Sequence, residues 1–366
     1  MMVRSEKKHR IIFIDLMRAI AVIQMVQGHT VDVFLAPEFR IADNPVFFIW
    51  NFMRGMTAPI FMFTAGTVFT YLFRLANEPF ERNPRVAKGV KRFLLLVALG
   101  YLLRYPTYKI FDFSDVTPDR WNIFFSVDVL QLIGSGILFV MICAFIAEKL
   151  KLNDMFVFTT ISLIIFLSTP FVNNISWSNY FPIPVAGYFY DKTGSLFPIF
   201  PWAGYVIMGG TLGSYLAKHP MVFKTTKFSA ALAVIGLAFI IVSGLSTVIL
   251  EKYFNIAYAN SSYDLEIIIF RIGFVLVLNS VISFISQKIE SIPRFIILIG
   301  RNTLLIYVVH LMILYGSAWN PGLILLFGSS LQVSYTVMSA SLMITLMTLM
   351  VVVLNKFKFK TKELVT

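Results

Sequence analysis

Apolar residues recur along the chain in long runs that are separated by short polar stretches. A helix needs about 20 mostly apolar residues to cross a membrane, and ten runs approach or exceed that length. The pattern therefore predicts an all-α polytopic membrane protein with about ten transmembrane helices. The predicted spans are residues 11–34, 46–74, 92–111, 123–147, 155–172, 196–217, 228–250, 265–286, 295–316 and 333–354. A shorter apolar stretch at 321–328 is predicted to be re-entrant or a helix on the outer surface.

The composition favours the same class of protein. Hydrophobic residues make up 58% of the chain and charged residues only 14%, whereas soluble domains carry about 25% charged residues. So little charge cannot cover a water-facing surface. Because no loop is long enough for a soluble domain, residues 1–366 are predicted to form a single integral membrane domain, with cytoplasmic tails at 1–10 and 355–366.

The charges of the loops predict the orientation. If the N-terminus is cytoplasmic, the cytoplasmic segments hold 21 Lys and Arg residues and the opposite loops hold six. Lys and Arg are enriched in the cytoplasmic loops of membrane proteins. Both termini are therefore predicted to be cytoplasmic, and the net charge of +12 is attributed to topology and not to nucleic acid. We expect a multi-pass protein of a bacterial inner membrane.

The sequence does not favour metal or disulfide chemistry. Cys143 is the only cysteine, which excludes an intrachain disulfide and a cysteine cluster for a metal. The four histidines lack the H-E-x-x-H spacing of a zinc site, so no metal and no permanently bound cofactor are predicted. The histidines are His9, His29, His219 and His310.

Four arginines fall inside predicted spans. Insertion scales put an arginine at the centre of a membrane helix at roughly 2.5–3.5 kcal/mol, so we expect all four to face the bundle interior or a water-filled cavity. There they would be paired with carboxylates or with a bound anion. These arginines are Arg18, Arg54, Arg271 and Arg301.

The first predicted helix carries two basic groups on one face. Arg18 and His29 are eleven residues apart, which at about 100° per residue leaves them about 20° apart around the helix axis. Along the axis they are about 16 Å apart, at about 1.5 Å per residue. We expect both side chains to line one cavity, with Asp15 one turn from Arg18 and Asp32 one turn from His29.

The ninth predicted span repeats this pair less closely. Arg301 and His310 are nine residues apart, which puts them half a turn out of phase. They leave the helix on opposite faces unless the helix bends. His310 is equally consistent with an interhelical contact and with a functional group.

This arrangement suits the transfer of a group across a membrane. Guanidinium groups bind phosphate oxygens with matched geometry, so Arg18, Arg301 and Arg54 are assigned to the phosphates of a cytosolic donor. A long pantetheine arm could span the distance between the phosphate site and a base further out.

His29 is the predicted base, because imidazole exchanges protons near neutral pH. A carboxylate, Asp32 or Asp128, would orient His29 and stabilise its charged form. Trp202 fits both a binding platform and an interfacial anchor, and the anchor is the commoner role of such a residue. Three residues are assigned to the acceptor substrate: Trp202, His310 and Arg271.

Several ordered stretches resemble one group of enzymes. The R-x10-H pattern of Arg18 and His29 is the hallmark of the transmembrane acyltransferase superfamily, which includes the acyltransferase-3 proteins. "TAPIFMFTAGTVFTYL" and "SVDVLQLIGSG" resemble the second and fourth helices of its heparan-α-glucosaminide N-acetyltransferase-like branch. "FPIFPWAGYVIMGGTLG" resembles the Pro-Trp-Gly helix of that branch, and "LIGRNTLLIYVVH" resembles the late helix common to these enzymes.

The resemblance implies a cytosolic acyl-CoA donor, with acetyl-CoA expected, and a sugar or glycan acceptor reached from the far side of the membrane. It implies that His29 is the catalytic histidine and that Arg18 belongs to the same tunnel. In the lysosomal member of the branch the active histidine lies in the loop after the first helix. This chain has no histidine between Val33 and Pro45, so the resemblance carries over the reaction type and not the acceptor.

A membrane transporter or flippase for an anionic or acylated substrate is the alternative hypothesis. Buried Arg, His and Asp residues also build proton relays and anion paths. A transporter would favour repeated halves with paired broken helices, whereas the Arg/His pairs occur in two predicted helices only. A non-catalytic scaffold is a third hypothesis, but it would leave the four buried arginines without a partner. The sequence does not predict the oligomeric state.

Overall fold

The computed structural model describes residues 11–219, 221–254 and 263–363. Within these residues the chain forms fourteen α-helices and one two-stranded ribbon. The helices are α1 Ile12–Phe34, α2 Pro45–Arg74, α3 Pro84–Leu103, α4 Pro118–Phe125, α5 Val129–Lys149, α6 Asp154–Asn174, α7 Ile183–Ala186, α8 Ile199–Lys218, α9 Thr226–Phe254, α10 Leu265–Lys288, α11 Arg294–Arg301, α12 Thr303–Leu314, α13 Ile324–Phe327 and α14 Val333–Glu363. The strands β1 Gly316–Ser317 and β2 Asn320–Pro321 pair in an antiparallel ribbon after α12.

The prediction of an all-α polytopic membrane protein is confirmed. Seven of the described helices are long and apolar enough to cross a membrane, or eight if the bent pair of α11 and α12 is one span. The helices α3 and α8 cover two further predicted segments but are not among these seven, so the count of ten spans stays a prediction. The same holds for the single domain and for the cytoplasmic position of both termini.

Of the two predicted cytoplasmic tails, only part of the C-terminal one belongs to the described residues. The segment 1–10 lies outside the described residues. The segment 355–366 is helical as far as Glu363, because α14 continues to that residue. The short apolar stretch at 321–328 contains α13, a single helical turn with no buried residue.

The third predicted span, at 92–111, is displaced toward the N-terminus, since α3 begins at Pro84 and ends at Leu103. The Asn83 side chain accepts a hydrogen bond from the backbone N–H of Arg85 at 2.9 Å, and proline is favoured at the first position of a helix. These capping signals start the helix eight residues before its apolar run. The first turns of α3 are basic, so a search for long apolar runs leaves them out of the predicted helix.

The ninth predicted span is broken at Asn302. The axes of α11 and α12 differ in direction by 77°. The Asn302 side chain donates a hydrogen bond to the carbonyl oxygen of Leu298 at 2.8 Å, an interaction by which asparagine competes with regular helical bonding. The bend separates the two residues that a straight helix would put on opposite faces: Arg301 is exposed at the end of α11, and His310 is fully buried on α12.

The core of the bundle contains an unusually close contact between α2 and α8. A Cβ atom on Gly66 would lie 1.8 Å from the carbonyl oxygen of Val206, and one on Gly209 would lie 2.0 Å from that of Phe63. The Thr67 hydroxyl donates to the Gly209 carbonyl oxygen at 3.0 Å. Small residues allow membrane helices to approach in this way, and the contact fixes α2 against α8.

Helix α1 runs through the middle of the remaining helices and contacts α2, α10, α11, α12 and α14. A Cβ atom on Gly300 would lie 2.9 Å from the carbonyl oxygen of Asp15, so α11 packs closely on the first turns of α1. This central position gives the polar residues of α1 neighbours from many elements.

Candidate functional site

Two cavities lie between the helices. The first, here called the His29 cavity, has a volume of about 850 Å³. Its polar lining includes His29, Asp32, Arg54, Arg104, Asp128 and Tyr315. The second, here called the Arg18 cavity, has a volume of about 510 Å³, and its basic lining consists of Arg18, Arg85, Lys88, Lys91 and Arg92.

The two cavities share part of their lining. Phe61 from α2, Leu130 from α5 and Tyr307 from α12 line both cavities, and we call these three residues the wall. The expectation that Arg18 and His29 line one cavity is therefore wrong. Helical phase predicts that Arg18 and His29 share one face of α1. It cannot predict that side chains of other helices lie between the two residues and divide the space into two cavities.

His29 is half-buried, and its nearest polar partner is a tyrosine. Nδ1 of His29 lies 3.3 Å from the hydroxyl oxygen of Tyr315, and the two rings meet edge to face with centroids 5.8 Å apart. Tyr315 directly follows α12. Sequence reasoning missed it, although it lies only five residues after His310, just past the end of the same helix.

The two carboxylates that were predicted to orient His29 are each paired with an arginine. Nε of Arg54 donates to Asp32 Oδ2 at 2.7 Å, and Nη2 of Arg104 donates to Asp128 Oδ2 at 2.8 Å. Asp128 also caps α5 by accepting a hydrogen bond from the backbone N–H of Val129 at 2.7 Å. Both carboxylates line the His29 cavity, but the hydrogen bond described for His29 is with Tyr315. Arginine outcompetes imidazole for these carboxylates because its fork of donors is always charged.

The three arginines assigned to donor phosphates do not lie together. Arg18 lines the Arg18 cavity, whereas Arg54 lines the His29 cavity. Arg301 is exposed and lines neither of these two cavities, because the break at Asn302 turns the end of α11 away from the path of α12. Of the three, Arg18 alone lies in the cavity with the largest basic cluster.

Helix α3 supplies the rest of that cluster. Arg85, Lys88, Lys91 and Arg92 all line the Arg18 cavity. They were counted in the sequence only as topology signals. The spacing of Arg85, Lys88 and Arg92 repeats every three to four residues, which puts them on one helical face, and this periodicity was the signal for a basic site.

The residues assigned to the acceptor divide into two groups. Trp202 from α8 and Arg271 from α10 both line the His29 cavity. The guanidinium carbon of Arg271 lies 5.2 Å from the centroid of the Trp202 ring, which is a cation–π contact. His310 lines neither cavity, but its ring lies beside that of His29, with centroids 5.5 Å apart.

The segment between α3 and α4, which follows the end of the third helix, is held by polar and aromatic contacts. Lys109 bonds the carboxylate of Asp112 at 3.1 Å. Hydrogen bonds from Ser114, together with Lys109, lower the pKa of Asp112 to about 2. The ring of Tyr105 stacks on Trp319, with centroids 5.4 Å apart, so this segment is fastened to the ribbon that follows Tyr315.

The His, Cys, Asp and Glu side chains of the described residues do not gather in groups with metal-ligand geometry. No group of three or more His, Cys, Asp or Glu residues there could hold a metal ion. The charged groups around the His29 cavity are instead arranged as arginine–carboxylate pairs.

One protein family matches this chain over most of the bundle. The sequence profile of the family described as heparan-alpha-glucosaminide N-acetyltransferase, catalytic, matches residues 10–245, which is more than half of the chain. The chain belongs to this family. The match to this acetyltransferase family confirms the resemblance seen in the sequence. A search of the curated proteins finds no match.

The part matched to the N-acetyltransferase family contains Arg18 and His29, the basic face of α3 and both arginine–carboxylate pairs. It ends before α10. Tyr307 of the wall and the two ring neighbours of His29, His310 and Tyr315, therefore lie beyond the matched residues.

Proposed function

We propose that this protein is an integral membrane acetyltransferase that moves an acetyl group from cytosolic acetyl-CoA to a sugar or glycan acceptor on the far side of the membrane. The observation that carries the proposal is the pair of adjacent cavities, one basic and one with a histidine, that share the wall. Arg85, Lys88 and Lys91 of this basic cavity come from a segment that loop charge predicts to be cytoplasmic, and the membrane would be a bacterial inner membrane.

The Arg18 cavity would bind the donor. Arg18 and the four basic residues of α3 supply cationic donors for the phosphates of coenzyme A, and charge-assisted hydrogen bonds to phosphate are about twice as strong as neutral ones. The other lining is mostly apolar, with Phe69 and Leu95 among its residues, which suits a pantetheine arm. The thioester would then approach the wall, with the phosphates left behind.

The His29 cavity would bind the acceptor and hold the base. An acceptor amine or hydroxyl attacks the carbonyl carbon of the thioester while His29 takes its proton, and the carbon–sulfur bond breaks. The coenzyme A thiolate leaves and receives a proton from His29, so that the base is restored. Tyr315 would keep His29 in the tautomer whose free nitrogen faces the acceptor.

Asp32 and Asp128 would act on His29 at a distance, because each is paired with an arginine. They would stabilise the imidazolium through their field and would hold Arg54 and Arg104 in the cavity, where these guanidiniums can bind acceptor hydroxyls. Arg271 and Trp202 would form one side of the acceptor site, because the flat face of tryptophan can pack against a sugar ring. Arg301 has no part in this arrangement.

The test is a transfer assay with purified protein in lipid nanodiscs. Labelled acetyl-CoA is supplied with a panel of amino sugars and neutral sugars, and release of coenzyme A is followed. Release that depends on one of these sugars, with label in that sugar, is the expected result. Failure to bind acetyl-CoA at all would overturn the proposal.

Transport of an anionic or acylated substrate is a second candidate, and the broken span favours it. Interrupted helices line the substrate sites of many transporters, and α11 and α12 form one such interrupted pair. Counterflow of a labelled acylated sugar in proteoliposomes, without consumption of acetyl-CoA, would support transport. Counterflow that is absent while sugar-dependent release of coenzyme A is present supports the acetyltransferase.

A further inference from the structure

His310 is a fully buried histidine whose two ring nitrogens have different surroundings. Nδ1 lies 2.7 Å from the carbonyl oxygen of Ile306, one turn earlier on α12. A carbonyl oxygen can only accept, so Nδ1 carries the hydrogen. In the neutral ring Nε2 then holds a lone pair, and Nε2 has no hydrogen-bond partner among the residues that the structure describes.

A buried acceptor without a partner is uncommon in native proteins and calls for an explanation. Here the neighbour is His29, whose ring centroid lies 5.5 Å from that of His310 with a tilt of 40°. Two imidazole rings at that separation can bring their nitrogens within hydrogen-bond distance when their edges face each other. His310 lines neither cavity, whereas His29 lines the first of them, so His310 can act on a bound substrate only through His29.

His29 lacks the carboxylate that commonly supports a histidine base. Asp32 and Asp128 are held by Arg54 and Arg104. The Tyr315 hydroxyl can bond one nitrogen of the His29 ring. When His29 takes a proton, its imidazolium has two N–H donors. The hydrogen taken from the acceptor must stay available to the thiolate, so a second acceptor can stabilise the charged form only by sharing the hydrogen on Nδ1 with the Tyr315 hydroxyl.

We propose that His310 is a positioning residue that acts through His29: its free Nε2 shares the hydrogen on Nδ1 of His29 with the Tyr315 hydroxyl and stabilises the imidazolium that forms during acetyl transfer. This inference rests on the proposed function. No proton leaves the pair, because the proton that His29 takes from the acceptor returns to the coenzyme A thiolate. The groups that face His310 are Tyr307 on its own helix, and His29 with its partner Tyr315.

The test compares two substitutions that remove different halves of the His310 ring. His310→Asn keeps a donor near Nδ1 for the Ile306 carbonyl but has no group at the position of Nε2. His310→Gln loses that donor, but its amide oxygen can reach the position of Nε2 and accept from His29. Both proteins are first checked for a cooperative thermal transition in nanodiscs.

If His310 acts through His29, the Asn variant should lose on the order of 10²-fold in kcat with KM for acetyl-CoA unchanged, and Gln should restore part of the rate. If His310 serves only to hold α12, the order reverses, because Asn keeps the bond to Ile306. Asn equal to or better than Gln in kcat would therefore overturn the inference.

A measurement on the unmodified protein covers the case in which the variants do not fold. Nitrogen-15 NMR of histidine-labelled protein reports which ring nitrogen carries hydrogen. The expected result is a resting His310 with hydrogen on Nδ1 and none on Nε2, and hydrogen on Nε2 would overturn the inference. This readout needs no catalytic activity, so its failure is distinguishable from failure of the proposed function, which the sugar-dependent transfer assay tests separately.

Discussion

The hydroxyl of Tyr315 lies 3.3 Å from Nδ1 of His29 and joins the end of α12 to the middle of the bundle. If this contact fixes the tautomer of His29, Tyr315→Phe should lower kcat without changing KM for acetyl-CoA. Loss of one hydrogen bond costs about 1 kcal/mol, which corresponds to roughly a fivefold to tenfold loss of rate. The measurement is the steady-state rate of coenzyme A release, with Tyr335→Phe as a control because Tyr335 is exposed on α14. An unchanged kcat in Tyr315→Phe would exclude the orienting role.

The basic lining of the Arg18 cavity should control donor binding and not the chemical step. Arg92→Gln removes one cation of the cluster, and hydrogen bonds to charged groups contribute about 1.5–3 kcal/mol. KM for acetyl-CoA should therefore rise by roughly tenfold or more, while kcat changes little. Arg82→Gln is the matched control, because Arg82 is exposed just before α3 and does not line the cavity.

A phosphate-free donor separates phosphate recognition from general damage to the site. KM for acetyl-pantetheine, which has no phosphate, should be the same in wild type and Arg92→Gln. An equal loss with both donors would contradict the assignment of this cavity to phosphates.

The wall should determine whether the thioester reaches His29. Leu130→Trp adds bulk where the two cavities meet, so kcat should fall at least tenfold while the protein still binds acetyl-CoA. Equilibrium binding and single-turnover transfer, measured on the same preparation, distinguish these two steps. Ile142→Trp is the control, since Ile142 is exposed on the same helix; a wild-type single-turnover rate in Leu130→Trp would show that the acyl group takes another route.

The contact between α2 and α8 gives a prediction on folding. Gly66→Ala puts a Cβ 1.8 Å from a backbone oxygen of α8, which cannot be relieved without separating the helices. Gly55→Ala on the same helix has no atom within 4 Å of its new Cβ. We expect little or no folded Gly66→Ala protein by size-exclusion chromatography in detergent, and a wild-type yield and thermal transition for Gly55→Ala. Equal yields of the two variants would contradict the close approach of α2 and α8 at Gly66.

Much of the architecture was predictable because its determinants are local. The lengths of the apolar runs predicted most of the long helices. The eleven-residue spacing of Arg18 and His29 predicted that both lie on one face of α1. The start of α3 was missed because capping by Asn83 and Pro84, and not hydrophobicity, decides where that helix begins. The break at Asn302 was anticipated only as the condition under which Arg301 and His310 would not leave the helix on opposite faces.

The site was less predictable, because its partners come from helices that are distant in sequence. Nothing in the local pattern indicates that Asp32 meets Arg54 or that Asp128 meets Arg104, and these pairs remove both carboxylates from His29. Tyr315 approaches His29 across 286 positions of sequence separation. Helical phase cannot supply such contacts, which follow from packing between elements.

The central claim is that His29 is the base for acetyl transfer to a sugar. The most direct measurement is the rate of sugar-dependent release of coenzyme A from purified His29→Gln protein, beside His219→Gln, which changes an exposed histidine at the end of α8. Removal of a general base costs on the order of 10²–10⁴-fold in rate, so His29→Gln should lose at least a hundredfold while it binds acetyl-CoA normally, and His219→Gln should match wild type. A His29→Gln protein that transfers acetyl groups at the wild-type rate would contradict the account.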